Sequence, residues 1–272
     1  MSKELITVIS AWRNEELMAP FFLRHYFDIG AYEVHIILDD TTSDNTLKII
    51  ENDIRENGHN IVIHHINYPN GFCDHIKINK VNDIYKSISS GWVICCDADE
   101  LVFTKEYLES DKPVGETLYE FAQRDIVVVN SNMTHPFRNV NDSDLDINKD
   151  TKVILQRRHG SKVPPTTDDI PITDVAYKKP MVLRANQQFT WSVGHHVLFD
   201  IYGRNVFVPD EIMGVHWKYA DPSFITYSTN NHLSNFQYIQ NNLSRGMGHH
   251  WVETLEASMK KCEEHKNDSE LF

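Results

Sequence analysis

The chain has no stretch of about 18 consecutive apolar residues, the length a helix needs to cross a bilayer. Its opening, MSKELITVISAW, holds one strand's worth of apolar side chains and no signal-peptide core. The expectation is a cytoplasmic protein without a membrane span. Cationic side chains are also scarce: 26 Lys and Arg against 39 Asp and Glu leave a formal charge of −13. A field of that sign repels phosphate backbones, so nucleic acid is not an expected partner. It also argues against adhesion to anionic lipid by charge alone, while leaving peripheral contact with the inner face of a membrane open. Cysteine is sparse, at four residues, with no CxxC and no zinc-finger spacing, so buried reduced thiols are expected. Cys95 and Cys96 are neighbours in an apolar run and should point to opposite faces of a strand. P-loop and GxGxxG patterns are missing, and no internal repeat stands out.

What is present is an alternation of strand and helix signals through the first hundred residues. Residues 5–10, 34–38, 61–66 and 92–96 read as buried strands. Between them run helical patterns. The first opens on Asn14-Glu15-Glu16 as cap and first-turn carboxylates, with Pro20 early and Gly30 closing it. The second is capped by Ser43 or Asp44 and ends at Gly58, and the third carries Val81, Ile84, Tyr85 and Ile88 before Gly91. The implied fold class is α/β: a mixed, mostly parallel central sheet flanked by helices, with further helices at the C-terminus. Short strands are expected over residues 126–129, 153–155, 180–184, 195–199, 206–208 and 213–217, and residues 139–150 and 162–171 read as loops. From Pro222 onward the pattern is helical. One unit over 1–220, with halves 1–105 and 106–220, followed by a helical extension over 221–272, is the expected organisation.

Parallel sheets bind ligands beyond the carboxyl ends of their strands. That rule selects residues 11–15, 39–44 and 97–100, all polar and all directly after a strand. The last of these, Asp97-Ala98-Asp99-Glu100, carries most weight. On an extended chain, residues i and i+2 share a side, so Asp97 and Asp99 can grip one hard cation, or one can bind the cation while the other holds a ribose hydroxyl. Mn²⁺ or Mg²⁺ suits oxygen donors and bridges diphosphates. Carboxylates crowded at the end of a buried strand also repel each other unless a cation is near. Lys77 and Lys80, on the helix before that strand, and Arg184 can add positive charge for an anionic ligand.

Three blocks together resemble the opening motifs of family 2 glycosyltransferases. They are Ala11-Trp12-Arg13-Asn14-Glu15-Glu16, Leu38-Asp39-Asp40-Thr41-Thr42-Ser43-Asp44-Asn45-Thr46 and Cys96-Asp97-Ala98-Asp99-Glu100. The resemblance is to the bacterial branch that reads roughly ARNE, DDGSTDGT and DADEF, and it covers about the first 105 residues. Later echoes are Lys179-Pro180, Gly194-His195-His196 and Gly214-Val215-His216-Trp217. The resemblance implies a GT-A fold, a nucleoside-diphosphate sugar donor, a glycan or lipid-linked acceptor, a divalent cation and inverting transfer, in surface-polysaccharide or lipopolysaccharide synthesis. By position it places Ala11, Arg13 and Glu15 around the base and ribose, and Asp39 on the nucleobase or ribose. Asp97 falls on the ribose or cation, Asp99 on the cation, and His216 on the cation or diphosphate. Thr41-Thr42 replaces the usual Gly-Ser, and the Glu-Asp block that ordinarily supplies the family's base has no clear counterpart.

An inverting transfer needs a base for the acceptor hydroxyl's proton. His195 and His196 are the first candidates, one ring on each face of a strand, with Asp168, Asp169 and Glu211 behind them. Two rival readings stand beside the transferase: a Mg²⁺-dependent nucleotidyltransferase, and a degenerate transferase-like module that binds a glycan or partner. A glycosidase would set its carboxylates about 5–9 Å apart across a sugar, not two residues apart on one strand.

Overall fold

A computed structural model describes residues 4–123, 128–134, 147, 149, 178–199, 206–207, 211–217, 222–233, 239–240, 243–244 and 254–268. The first strands are apolar along nearly their whole length because helices cover both faces of the sheet. They are β1 (Ile6–Trp12), β2 (Glu33–Asp39), β3 (Ile61–Ile66) and β4 (Trp92–Cys95). Between them lie α1 (Ala19–Asp28), α2 (Thr46–Asn57) and α3 (Asp74–Ser87). Then follow β5 (Glu100–Thr104), α4 (Lys105–Ser110), α5 (Val114–Ala122), β6 (Val128–Thr134) and β7 (Lys178–Arg184). A small antiparallel pair, β8 (Thr190–Trp191) and β9 (Leu198–Phe199), precedes β10 (Val206–Phe207) and β11 (Ile212–His216). Helices α6 (Pro222–Leu233) and α7 (Leu255–Asp268) pack on each other.

Among the described residues the main sheet runs β3-β2-β1-β4-β7-β6-β11-β5, with β10 beside β6. Pairs β1–β2, β2–β3, β1–β4, β6–β11 and β6–β10 are parallel, and β4–β7, β6–β7 and β5–β11 are antiparallel. The expected mixed, mostly parallel α/β sheet is therefore present. Strand order reverses between β1 and β4, and a switch point of this kind is where sheets of this class form a ligand crevice, at the carboxyl ends of the strands. Gly91 starts β4 with φ +85°, and a Cβ there would lie 2.4 Å from the Leu5 carbonyl oxygen. Only a residue without a side chain lets β4 begin so close to β1.

Two hydrophobic clusters cover the two faces. One gathers Phe22, Leu23 and Tyr26 of α1, Ile50 of α2 and Leu118 and Phe121 of α5. The other gathers Ile78, Val81, Ile84 and Tyr85 of α3 with Trp191 and Leu198. Cys96 belongs to the first cluster and Cys95 to the second, as their alternation in sequence requires.

Three local expectations are corrected. Asn14, Glu15 and Glu16 do not begin α1, which starts at Ala19. The side chains of Asn14 and Glu16 are occupied instead by backbone N–H groups of Ser43 and Asn45 in the neighbouring loop. His195 and His196 do not lie on a strand: Val193–His195 is a single 3₁₀ turn, and β9 begins only at Leu198. The fourth strand stops at Cys95, and a further strand, β5, starts at Glu100. The expected strand over 153–155 and the loop over 162–171 lie outside the described residues, as does almost all of the loop over 139–150.

Candidate active site

The crevice is walled by three turns that leave β1, β2 and β4. In the first, Asn14 adopts φ 55°, a left-handed backbone that Asn tolerates better than most residues. Its Oδ1 accepts the Ser43 N–H at 2.8 Å, the Glu15 N–H donates to Thr46 Oγ1 at 2.7 Å, and the Glu16 N–H donates to Asp44 Oδ2 at 3.1 Å. The loops after β1 and β2 are thus laced into one unit. Asp44 is half-buried, which by itself would raise its pKa, but hydrogen bonds from Thr46, Tyr227 and Glu16 outweigh that and hold it lower.

Asp39 ends β2 and is 3% exposed. Its Oδ1 accepts the Thr41 N–H and hydroxyl, each at 2.8 Å, while Oδ2 lies 3.8 Å from Arg13 Nε. Arg13 also donates to Thr41 Oγ1 at 2.9 Å. The Thr-Thr departure noted in the sequence therefore places a hydroxyl between Arg13 and Asp39. Burial raises the Asp39 pKa and lowers that of Arg13, each partly offset by the other's charge. Glu15, half-buried, is raised well above the usual carboxylate range by burial and by the nearby charges of Asp99, Asp97 and Asp44. Ala11, on β1, packs against the second cluster.

The third turn, residues 96–99, is built on Glu100. This carboxylate is 0% exposed. Its Oε2 accepts the Asp97 N–H at 2.9 Å, and its Oε1 pairs with Lys179 Nζ. The Tyr26 hydroxyl donates to the Glu100 carbonyl at 2.8 Å, so α1 fixes the start of β5 from behind. Lys179, on β7, also donates to Asp97 Oδ2 at 3.1 Å. Burial would raise the Asp97 pKa, yet the ammonium groups of Lys179 and Lys77 hold it well below the usual range. Lysine ammonium groups thus supply part of the positive charge that crowded carboxylates need, and Asp97 keeps 39% of its side chain exposed toward the crevice. Lys77 pairs with Asp74 at 3.0 Å and faces Asp97, whereas Lys80, one turn on, acts on His64.

Asp99 meets a residue 117 positions later in the chain. In the antiparallel register of β11 on β5, His216 lies opposite Glu100, and the Trp217 N–H donates to the Asp99 carbonyl at 2.9 Å. This sets His216 Nε2 3.2 Å from Asp99 Oδ2. Two donors bound about 2.1–2.2 Å from one cation at right angles stand roughly 3.0 Å apart, so the pair has the spacing of one octahedral edge. A hard carboxylate oxygen and an imidazole nitrogen suit Mn²⁺ or Mg²⁺ and leave other positions for phosphate oxygens. Among the described residues no cluster of three or more His, Cys, Asp or Glu side chains forms a closed metal cage.

His195 is 3% exposed, with φ 59°, and among the described residues neither ring nitrogen has a hydrogen-bond partner. Burial drives its pKa down to about 3, so the ring is neutral. Asn82 of α3 clamps Trp191 through two hydrogen bonds of 2.9 and 3.1 Å, and Trp191 meets the His195 ring edge-on. His196 is the more exposed of the two rings. Gly194 takes φ +72°, and a Cβ there would press to 3.0 Å of the His196 imidazole. Glu211 precedes β11, where its carbonyl accepts the Lys105 N–H; Asp168 and Asp169 lie outside the described residues.

Sequence reasoning named Lys179-Pro180 only as a late echo of the family motifs and gave neither Lys179 nor Glu100 this organising part. A lysine near the head of an apolar strand was the further signal available.

No protein-family model matches the chain, and no curated protein does. Among solved structures, TarS 1-349 of S. aureus is 14% identical over 84% of this chain and 64% of that one, with a TM-score of 0.46. The mannosyltransferase PcManGT from Pyrobaculum calidifontis, solved with GDP-Man and Mn²⁺, is 12% identical over 96% and 70%, with a TM-score of 0.47. HddC from Yersinia pseudotuberculosis is 11% identical over 51% and 65%, with a TM-score of 0.30. The chain thus spans just under two thirds of the length of the TarS chain. Among the described residues no helix is long and apolar enough to cross a membrane.

Proposed function

We propose that the protein is a divalent-metal-dependent glycosyltransferase that moves a sugar from a nucleoside-diphosphate donor to a glycan or lipid-linked acceptor. The observation that carries this reading is the Asp99–His216 pair, 3.2 Å apart, beside the switch-point crevice. A cation bound there supplies positive charge to the diphosphate that departs as an anion. Asp39, Arg13 and Thr41 form the end of the crevice that takes the base and ribose. Ala11 and Glu15 line its floor, and Asp97, braced by Lys179, offers its exposed carboxylate to a ribose or sugar hydroxyl. Lys77 adds positive charge on the α3 side.

In this reading His196 accepts the acceptor hydroxyl's proton, since its ring has exposed surface, and His195 packs beneath it as a neutral, water-excluding wall. Residues 1–220 form the catalytic unit and 221–272 the helical extension, with surface-polysaccharide assembly as the setting.

The test is a thermal-shift panel of UDP, GDP, CDP and dTDP, each with Mn²⁺, Mg²⁺ or EDTA. One nucleotide is expected to raise the melting temperature, with the rise abolished by EDTA and by Asp99→Asn. A folded protein that no nucleotide stabilises would instead be the glycan- or partner-binding module.

A further inference from the structure

We infer that α6 is a latch on the nucleotide side of the crevice, with Tyr227 and Asn231 as positioning residues for donor binding. The inference rests on the donor site proposed above. Tyr227 and Asn231 are four residues apart and so share one face of α6. The Tyr227 hydroxyl donates to Asp44 Oδ2 at 2.6 Å. Asp44 is the residue whose carboxylate also accepts the Glu16 and Thr46 N–H groups, so the hydroxyl closes a three-donor cage around it. Asn231 engages Asn14 twice: its Oδ1 accepts from Asn14 Nδ2, and its Nδ2 donates to the Asn14 carbonyl, each at 3.4 Å. Asn231 also hydrogen-bonds the Tyr227 side chain, which joins the two contacts into one chain of polar groups.

The position held by Asn231 matters because of what flanks it. Asn14 is 6% exposed and left-handed, a backbone state that Asn tolerates and that the contacts from Asn231 and Ser43 help to hold. On either side of it stand Arg13, which faces Asp39 and Thr41, and Glu15, which faces Asp97 and Asp99. A relaxed Asn14 would rotate both side chains out of the crevice. Neither Tyr227 nor Asn231 needs to touch a ligand for this to control affinity. Because α6 packs on α7, the latch also couples the C-terminal helices to the donor end of the site.

Tyr227→Phe and Asn231→Ala test the latch, with Tyr32→Phe, an exposed tyrosine at the other end of β1, as control. Calorimetric titration with UDP, GDP, CDP and dTDP in Mn²⁺ is expected to show, for the nucleotide that binds, about five- to tenfold weaker binding in both α6 variants and none of that loss in the control. Donor KM should rise by a similar factor with kcat nearly unchanged, and hydrogen exchange should accelerate in segments 13–18 and 42–46. Wild-type affinity and unaltered exchange in both variants would overturn the latch while leaving the donor site standing. A wild-type protein that binds none of the four nucleotides would overturn the donor reading, and with it this use of α6, even if exchange accelerated.

Discussion

Replacing Lys179 with Met would remove the ammonium that bridges Asp97 and Glu100. The side chains of Lys179 and Glu100 are 5% and 0% exposed, so the orphaned Glu100 carboxylate could not recover its lost partner from bulk water. Breaking a buried pair on one side costs about 3–5 kcal/mol, more than the pair contributes net, because a charge is left without compensation. For a domain of this size that corresponds to a fall in melting temperature of roughly 10 °C. The decisive assay is a double-mutant cycle in urea with Lys179→Met, Glu100→Gln and both together. Removing the second charge should restore at least about 2 kcal/mol relative to the sum of the single changes. Additivity within about 0.5 kcal/mol would show that the two groups do not act as a buried pair and would refute the account of the 96–99 turn given above.

His216→Ala should weaken Mn²⁺-supported nucleotide binding in calorimetry while leaving binding in EDTA unchanged; equal losses in both conditions would remove His216 from the cation site. His25 supplies a pH test. Its ring is buried, its Nε2 lies 3.0 Å from the Val102 carbonyl, and its pKa is lowered to about 3 by burial. Below about pH 6.5 the unfolded chain binds a proton at this site that the folded chain does not, so stability falls as pH falls from 6.5 toward 3, by about 1.4 kcal/mol per unit. His25→Gln should make the urea midpoint less sensitive to pH between 6.5 and 5, and an unchanged pH dependence would refute the assignment.

The first half of the fold was legible because its signals are local. Strands β1 to β4 are runs of Ile, Val and Leu, and the helices between them carry an apolar stripe, so pattern alone placed β3 at residues 61–66. Turn details were less so. Asn14 and Glu16 have the composition of a helix cap, but tertiary contacts with residues 43–45 engage them first. The pairing of His216 with Asp99 and of Lys179 with Glu100 depends on strand register across 117 and 79 residues, which no local pattern encodes. His195 and His196 read as part of a strand because Gly194 gave no sign of taking a left-handed turn. Lys77 and Lys80 were indistinguishable by composition, and only helix packing turned the first toward Asp97.

The join between β5 and β11 has a consequence in time as well as space. During synthesis the chain can complete β1 through β4, and with them the paired loops after β1 and β2, while residue 216 is still unmade. The crevice walls therefore exist before the Asp99–His216 pair does. Closing so long a loop is among the slower steps of folding, since its entropy is lost before any contact repays it. If the pair is the seat of catalysis, competence is withheld from every chain that stops short of His216 and is conferred when β11 is added.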